Sequence, residues 1–282
     1  MFPEIKTPIL YAICLAAFVF LSIKELTRVK KLTRFEAWNS CVWDELNNGK
    51  WEKATKSHEF WSNSTNLLSK CMMILEQQPT KLPNSKLYIF PRNLTTERVH
   101  VSFGIEADGS AELQMKTLSP NTIFFATDIN GTHESVREIG TVLPLLIGQE
   151  SGLVESTIPG LNGTEASGSI LKIDMIYFLR NILNRDFYDS VWINLKPTEF
   201  PVMKAFLKGA QFDKNSMTIC QINFKIERSV ENEADFHRFF INLVGDRRYA
   251  MFIEPSETYH TIFLVNFGSG RCREMMGELN NE

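Results

Sequence analysis

The sequence contains no Cys-x-x-Cys pair, no His/Cys cluster at metal-ligand spacing and no Asp-x-Asp. The first two absences exclude a structural zinc site. The third argues against a metal-dependent Golgi-type glycosyltransferase, which needs an acidic pair to hold the cation bridging nucleotide phosphates. The nearest approach to that pair is Glu106-Ala107-Asp108. A nucleophile elbow, a His-Glu-x-x-His helix, a P-loop and a full dinucleotide fingerprint are missing as well. No segment repeats at a period of 20 to 50 residues, so solenoids and propellers are excluded. Only one long apolar run occurs, which excludes a polytopic membrane protein. Basic charge is scarce outside the first 34 residues. The 282 residues carry 30 Lys+Arg against 33 Asp+Glu, and residues 1–34 hold six of the basic and two of the acidic side chains. The remainder, with 24 basic and 31 acidic groups, is net −7 and has no basic footprint for gripping nucleic acid.

The single apolar run is Thr7 to Ile23, seventeen residues without a charge, and a helix of that length nearly spans a hydrocarbon core. No small-x-small cleavage site follows it, so it reads as an uncleaved single-pass anchor, with a cleavable signal peptide as the alternative. Two signals disagree about which side the rest of the chain occupies. Lys24, Arg28, Lys30, Lys31 and Arg34 follow the run, and the positive-inside rule applied to them puts the large domain in the cytosol. Four Asn-x-Thr motifs, at Asn63, Asn93, Asn130 and Asn162, are usable only in a secretory lumen. Outside the anchor the cysteines are Cys41, Cys71, Cys220 and Cys272. An even set of this kind suits two disulfides, and sequence neighbourhood favours Cys41 with Cys71 and Cys220 with Cys272; four buried free thiols are the alternative. The expected location is the Golgi or endoplasmic reticulum, with a lumenal C-terminal domain.

Three regions follow: an anchor with its basic flank (1–34), a helical cap (35–84) and a main domain (85–282). The cap holds Trp38, Trp43, Trp51 and Trp61, and apolar residues three or four apart predict two or three helices. Tryptophans at that spacing are expected in a core or interface rather than in a ligand box. Pro79 and Pro83 close the segment. Beyond it, strands are predicted over 99–105, 122–127, 141–147, 190–195, 217–226, 249–253 and 261–266, with helices over 111–118, 173–183, 201–209 and 234–244. This alternation predicts an α/β fold, a doubly wound and mostly parallel sheet covered on both faces. Glu231, Glu233 and Asp235 read as a solvated helix start. Among five scattered histidines only His260, near a late strand, stands out.

In a doubly wound sheet ligands bind beyond the carboxyl ends of the strands, beside the first strand–helix turn. Here that turn is Gly104-Ile105-Glu106-Ala107-Asp108, where glycine lets backbone approach a cofactor. Asp128, ending Phe124-Phe125-Ala126-Thr127-Asp128 and 24 residues after Gly104, is placed to accept hydrogen bonds from ribose hydroxyls. A helix N-cap acid at Asp108 and a turn acid at Asp128 are the structural alternatives.

These residues resemble the FkbM-type S-adenosylmethionine-dependent methyltransferases, particularly the membrane-anchored branch, whose first turn reads like GIGHD followed by AE. Further matches follow in order over residues 85 to 275. Phe124 to Asp128 resembles FFGAD, and Gly148-Gln149-Glu150-Ser151-Gly152 resembles the loop after the third strand. Asp189 to Phe200 falls where the family has IDILWIDIEGAEF, and Ile219-Cys220-Gln221-Ile222-Asn223 resembles ICQIN. The resemblance implies a Rossmann-like methyltransferase fold, S-adenosylmethionine as cofactor and Gly104, Asp108, Asp128 and Asn194 as cofactor-binding residues. Methyl transfer to an unknown hydroxyl acceptor follows from it, with Glu199 the candidate catalytic base. The departures fall on the cofactor positions. Glu106 replaces the second glycine, and Asn194, Lys196 and Pro197 replace the acidic pair and glycine of the fourth-strand motif. They support an alternative, a catalytically silent methyltransferase-fold binding or scaffold protein.

Overall fold

A computed structural model describes residues 33–51, 57–105, 109–129, 134–159, 165–195, 199–227 and 229–277. The apolar run 7–23, Glu106, Asp108, Asn130, Asn162, Lys196 and Pro197 lie outside them. Among the described residues no helix is long and apolar enough to cross a membrane. Arg34–Glu282 forms one compact unit.

Two helices open it, α1 (Arg34–Gly49) and α2 (Ser57–Met72). Phe35, Trp38, Val42 and Leu46 recur three or four apart and are buried, as are Phe60, Trp61, Leu67 and Leu68, so each helix turns one apolar stripe inward. A Cys41–Cys71 disulfide joins the pair. Phe35 stacks on Phe267 at 4.9 Å, and Asn39 Nδ2 donates to the Val244 carbonyl at 2.9 Å. The tryptophans of this region are therefore packing residues. His260 belongs to the same contact, its ring stacked 4.3 Å from that of Trp61. Glu233 departs from the solvated reading: it is buried, and one carboxylate oxygen lies 3.0 Å from His58 Nδ1.

A short ladder follows, β1 (Thr80–Lys81) with β2 (Leu87–Tyr88), and then β3 (Arg98–Phe103), α3 (Ser110–Leu118), β4 (Thr122–Thr127), α4 (Glu134–Arg137) and β5 (Gly140–Leu143). Next come β6 (Leu146–Gly148), β7 (Gly152–Pro159), β8 (Glu165–Asp174), α5 (Met175–Tyr177) and a π-helical turn over Phe178–Ile182. The last part comprises β9 (Phe187–Ile193), α6 (Glu199–Lys204), α7 (Gln211–Lys214), β10 (Thr218–Glu227), α8 (Val230–Asp246), β11 (Tyr249–Pro255), β12 (Tyr259–Asn266) and α9 (Gly270–Met276). A second disulfide, Cys220–Cys272, ties β10 to α9.

Seven strands form the main sheet in the order β11-β12-β10-β9-β3-β4-β5. The pairs β5–β4, β4–β3, β3–β9 and β9–β10 are parallel, whereas β12 runs antiparallel to both β10 and β11. This is the doubly wound 3-2-1-4-5-6 order with one antiparallel strand inserted beside the last, a Rossmann-like fold. Both faces are covered. Ala111 and Met115 of α3 pack with Phe124 and Trp192 on one side, while Phe239 of α8 meets Phe224 edge-on across the other.

The single strand predicted over 141–147 is two strands in different sheets. Pro144, which has no N–H to give a ladder, interrupts the run; β5 stays in the main sheet and β6 joins β8 in a three-stranded one. The β7–β8 hairpin was not predicted.

Candidate functional site

The order reverses at β3, whose two neighbours are β4 and β9, so the switch point lies at their carboxyl ends. Three of the residues singled out in the sequence stand there in one row, each the first residue past its strand. Gly104 N donates to the Thr127 carbonyl (3.1 Å), Asn194 N to the Phe103 carbonyl (2.8 Å) and Asp128 N to the Leu143 carbonyl (3.1 Å). The ladder thus continues one step beyond each strand before the chains separate. Gly104 has φ +76°, and a Cβ built there would sit 2.2 Å from the Asn194 carbonyl oxygen. Only glycine leaves room for that approach. Asn194 Oδ1 is buried and accepts no hydrogen bond from the described residues, an acceptor free for a donor group on a ligand.

Asp108 lies outside the described residues, and the N-cap position of α3 falls on Gly109, in the left-handed region at φ +57°. A Cβ on Gly109 would meet Val136 Cγ2 of α4 at 2.4 Å, so this glycine too serves a close contact. Glu199 is the first residue of α6, five positions after Asn194.

Beneath this row lies a buried polar chain with no signal in the sequence. His100 and Ser102 project from β3 and Ser190 from β9 on one face, because residues two apart share a face and His100 pairs with Ser190. The Ser102 hydroxyl donates to Glu112 Oε1 (3.0 Å), so His100 Nε2–H donates to the Ser102 oxygen (2.9 Å) and Nδ1 accepts from the Ser190 hydroxyl (2.6 Å). Lys86 Nζ completes the chain 3.0 Å from Glu112 Oε1 and stands 4.4 Å from the Trp192 ring centroid. Burial, then the nearby Lys86 ammonium, holds the imidazole well below its ordinary pKa, so His100 is neutral. The unfolded chain binds this proton near pH 6.5 and the folded one does not. Stability is therefore expected to hold above that pH and to fall below it, by up to about 1.4 kcal/mol per pH unit from this group. Urea unfolding of wild type and His100→Asn between pH 7.5 and 5 measures it: the stability advantage of wild type over the variant should shrink as pH falls, because only the wild type loses this contribution.

Lys86 sits on a strap, residues 82–90, that crosses the same face. Gln221 and Asn223, the polar pair of the ICQIN-like strand, bind its backbone as a neighbouring strand would. Asn223 accepts from Leu87 N (2.9 Å) and donates to Leu87 O (2.8 Å); Gln221 does the same at Ile89, at 2.8 and 2.9 Å. These two motif residues thus hold structure. The strap turns at Asn84 and Ser85, both with positive φ, and Asn84, Lys86, Trp192 and Asn194 enclose a cavity of about 10 Å³, room for one water. A larger cleft of about 510 Å³ is lined by Gln149, Glu150, Asp174, Tyr177, Asn181 and Val202. Gln149 Nε2 donates to the Pro201 carbonyl of α6 at 2.8 Å, which fixes the Gly148–Gly152 loop against that helix. Among the described residues no group of three His, Cys, Asp or Glu could hold a metal.

No protein-family model matches the chain, and no curated protein sequence is significantly similar to it. Among solved structures it is similar to the METTL16 methyltransferase domain (12% identity, TM-score 0.38, 61% of each chain covered). It is also similar to the human methyltransferase 10 domain containing protein (12%, 0.34, 62% of this chain and 74% of that one) and to a Pyrococcus furiosus methyltransferase (11%, 0.29, 61% and 77%). The chain spans about three-fifths of the METTL16 domain it matches. The fold assignment rests on the strand order, not on these likenesses.

Proposed function

We propose that the chain is a membrane-anchored, FkbM-like methyltransferase that takes S-adenosylmethionine at the carboxyl edge of the main sheet and methylates a hydroxyl acceptor. The observation that carries the reading is the row of Gly104, Asp128 and Asn194 at the switch point, with the buried Asn194 Oδ1 free to accept. Bound there, the cofactor supplies an electrophilic methyl group. Asp128 accepts hydrogen bonds from its ribose hydroxyls, Asn194 from a donor at its amino-acid end, and Asp108 completes the first turn. The protein's share of catalysis is alignment of the acceptor oxygen with the methyl group and removal of its proton, for which Glu199 is the candidate base. The cleft beside α6 is of ligand size and is the proposed acceptor entry.

The segment 7–23 anchors the domain in the Golgi or endoplasmic reticulum membrane, and the lumenal side is favoured because two disulfides need an oxidising compartment. A second reading, a silent domain of the same fold that binds or scaffolds a protein partner, is supported by Glu106, Lys196 and Pro197 at cofactor positions and by the one-water cavity beside Asn194. Calorimetry with S-adenosylmethionine separates the two. Saturable binding reduced at least about tenfold by Asp128→Ala, a change of about 1.4 kcal/mol, supports the methyltransferase. Absence of binding to the wild type sinks it in favour of the silent domain.

A further inference from the structure

Two of the four Asn-x-Thr motifs fall within the described residues, and their local structures differ. Asn63 lies in the middle of α2, with its Nδ2 donating to the Glu59 carbonyl one turn earlier at 2.8 Å. Its amide is already engaged as a donor within the helix. Asn93 lies in the exposed turn before β3, where Thr95 N and Thr95 Oγ1 both donate to Asn93 Oδ1, at 2.9 and 2.7 Å. Hydroxyl and backbone N–H on the amide oxygen hold the side chain by its oxygen in an Asx turn and make the Nδ2 protons more acidic, which eases loss of one when Nδ2 is substituted.

The turn is held from both sides. Asn121 Nδ2 donates to the Leu94 and Thr95 carbonyls (3.1 Å each), and Arg98 Nη2 to the Asn93 carbonyl (3.4 Å). Leu94, the middle residue of the motif, is an apolar side chain left 40% exposed. A sugar ring on the adjacent asparagine has an apolar face to lay against it.

We propose that Asn93 carries an N-linked oligosaccharide. In the step that attaches it, Nδ2 bonds to the anomeric carbon of a lipid-pyrophosphate-linked oligosaccharide, the bond from that carbon to the pyrophosphate oxygen breaks with its electron pair going to that oxygen, and one Nδ2 proton passes to the departing lipid pyrophosphate. The position also has a functional consequence. Asn93 and Asn121 precede β3 and β4, so the glycan stands at the amino edge of the sheet, opposite the row formed by Gly104, Asp128 and Asn194. It leaves that mouth open. The inference rests on the lumenal placement proposed above.

The test is peptide mapping of the full chain expressed in a eukaryotic secretory host and released with peptide N-glycosidase in ¹⁸O water. Labelled aspartate at position 93, together with loss of one glycan step in Asn93→Gln and in Thr95→Val, is the expected result. An unlabelled Asn93 beside label at Asn63, Asn130 or Asn162 overturns this inference and leaves the lumenal placement standing. No label at any of the four overturns both.

Discussion

Gly104→Ala is expected to lower the unfolding free energy by about 2–5 kcal/mol, combining about 1–2 kcal/mol for an L-residue in the left-handed region with about 1–3 kcal/mol for overpacking. The second part follows from geometry: the new Cβ would sit 2.2 Å from the Asn194 carbonyl oxygen, and that oxygen is backbone, which cannot swing aside as a side chain does. Gly209 is the matched control. It has φ +74° and nothing within 4 Å of the place a Cβ would take, so Gly209→Ala should cost only the conformational part, about 1–2 kcal/mol. Urea unfolding of both variants gives the comparison, and equal losses would mean that Gly104 is needed for its φ alone. Relief at position 104 requires β3 and β9 to part just where Gly104, Asp128 and Asn194 line up. The binding of S-adenosylmethionine proposed above should therefore weaken in Gly104→Ala and stay unchanged in Gly209→Ala.

Lys86→Met should destabilise the protein by about 3–5 kcal/mol, the range for breaking a buried ion pair from one side. Side-chain exposure is 6% at Lys86 and 0% at Glu112, so water cannot take the place of the lost ammonium. Glu112 Oε2 already has no hydrogen-bond partner among the described residues, and after the substitution Ser102 alone would face the carboxylate. Adding Glu112→Gln should restore about half of the loss or more, because an amide in that place is far less costly to bury than an unpaired charge. Chemical denaturation of the two single variants and the double variant closes the cycle. Additive losses would show that the two side chains act separately. Lys86→Met should also loosen the strap, which hydrogen exchange at the Leu87 and Ile89 amides would report, since those two N–H groups rely on Asn223 and Gln221.

How much of this was legible varied with the range of the interaction. The strand Thr122–Thr127 is found with the bounds its composition predicts, and β3, β9, β10, β11 and β12 lie within three residues of theirs. Local β-branched and aromatic runs between turn residues are enough for that. The Gly104 to Asp128 spacing located two residues of the row because a strand–helix–strand step has a narrow range of lengths. The cysteine pairing favoured by neighbourhood is the one observed. The expected strand over 141–147 ignored Pro144, and the β7–β8 hairpin escaped because its Ser, Thr and Gly residues mask a weak alternation. Glu233 resembled any helix-start acid until His58, 175 residues away, was placed against it.

By itself the sequence determined the order along the chain of β3, β4, β9, β10, β11 and β12, the apolar faces of α1, α2 and α8 and the identity of the turn residues after β3 and β4. These depend on periodicity and on residues near one another in the chain. Only the tertiary structure decided that Asn194 stands beside Gly104, that Gln221 and Asn223 clasp a strap, and that Lys86, Glu112, Ser102, His100 and Ser190 form one buried chain. Parallel strands acquire their neighbours through crossovers rather than hairpins. Residues 90 positions apart, His100 and Ser190, therefore share one hydrogen bond, and no local pattern records it. The same cause explains why Asn194 reads in the sequence as the loss of a family acid and in the fold as a buried acceptor at the switch point.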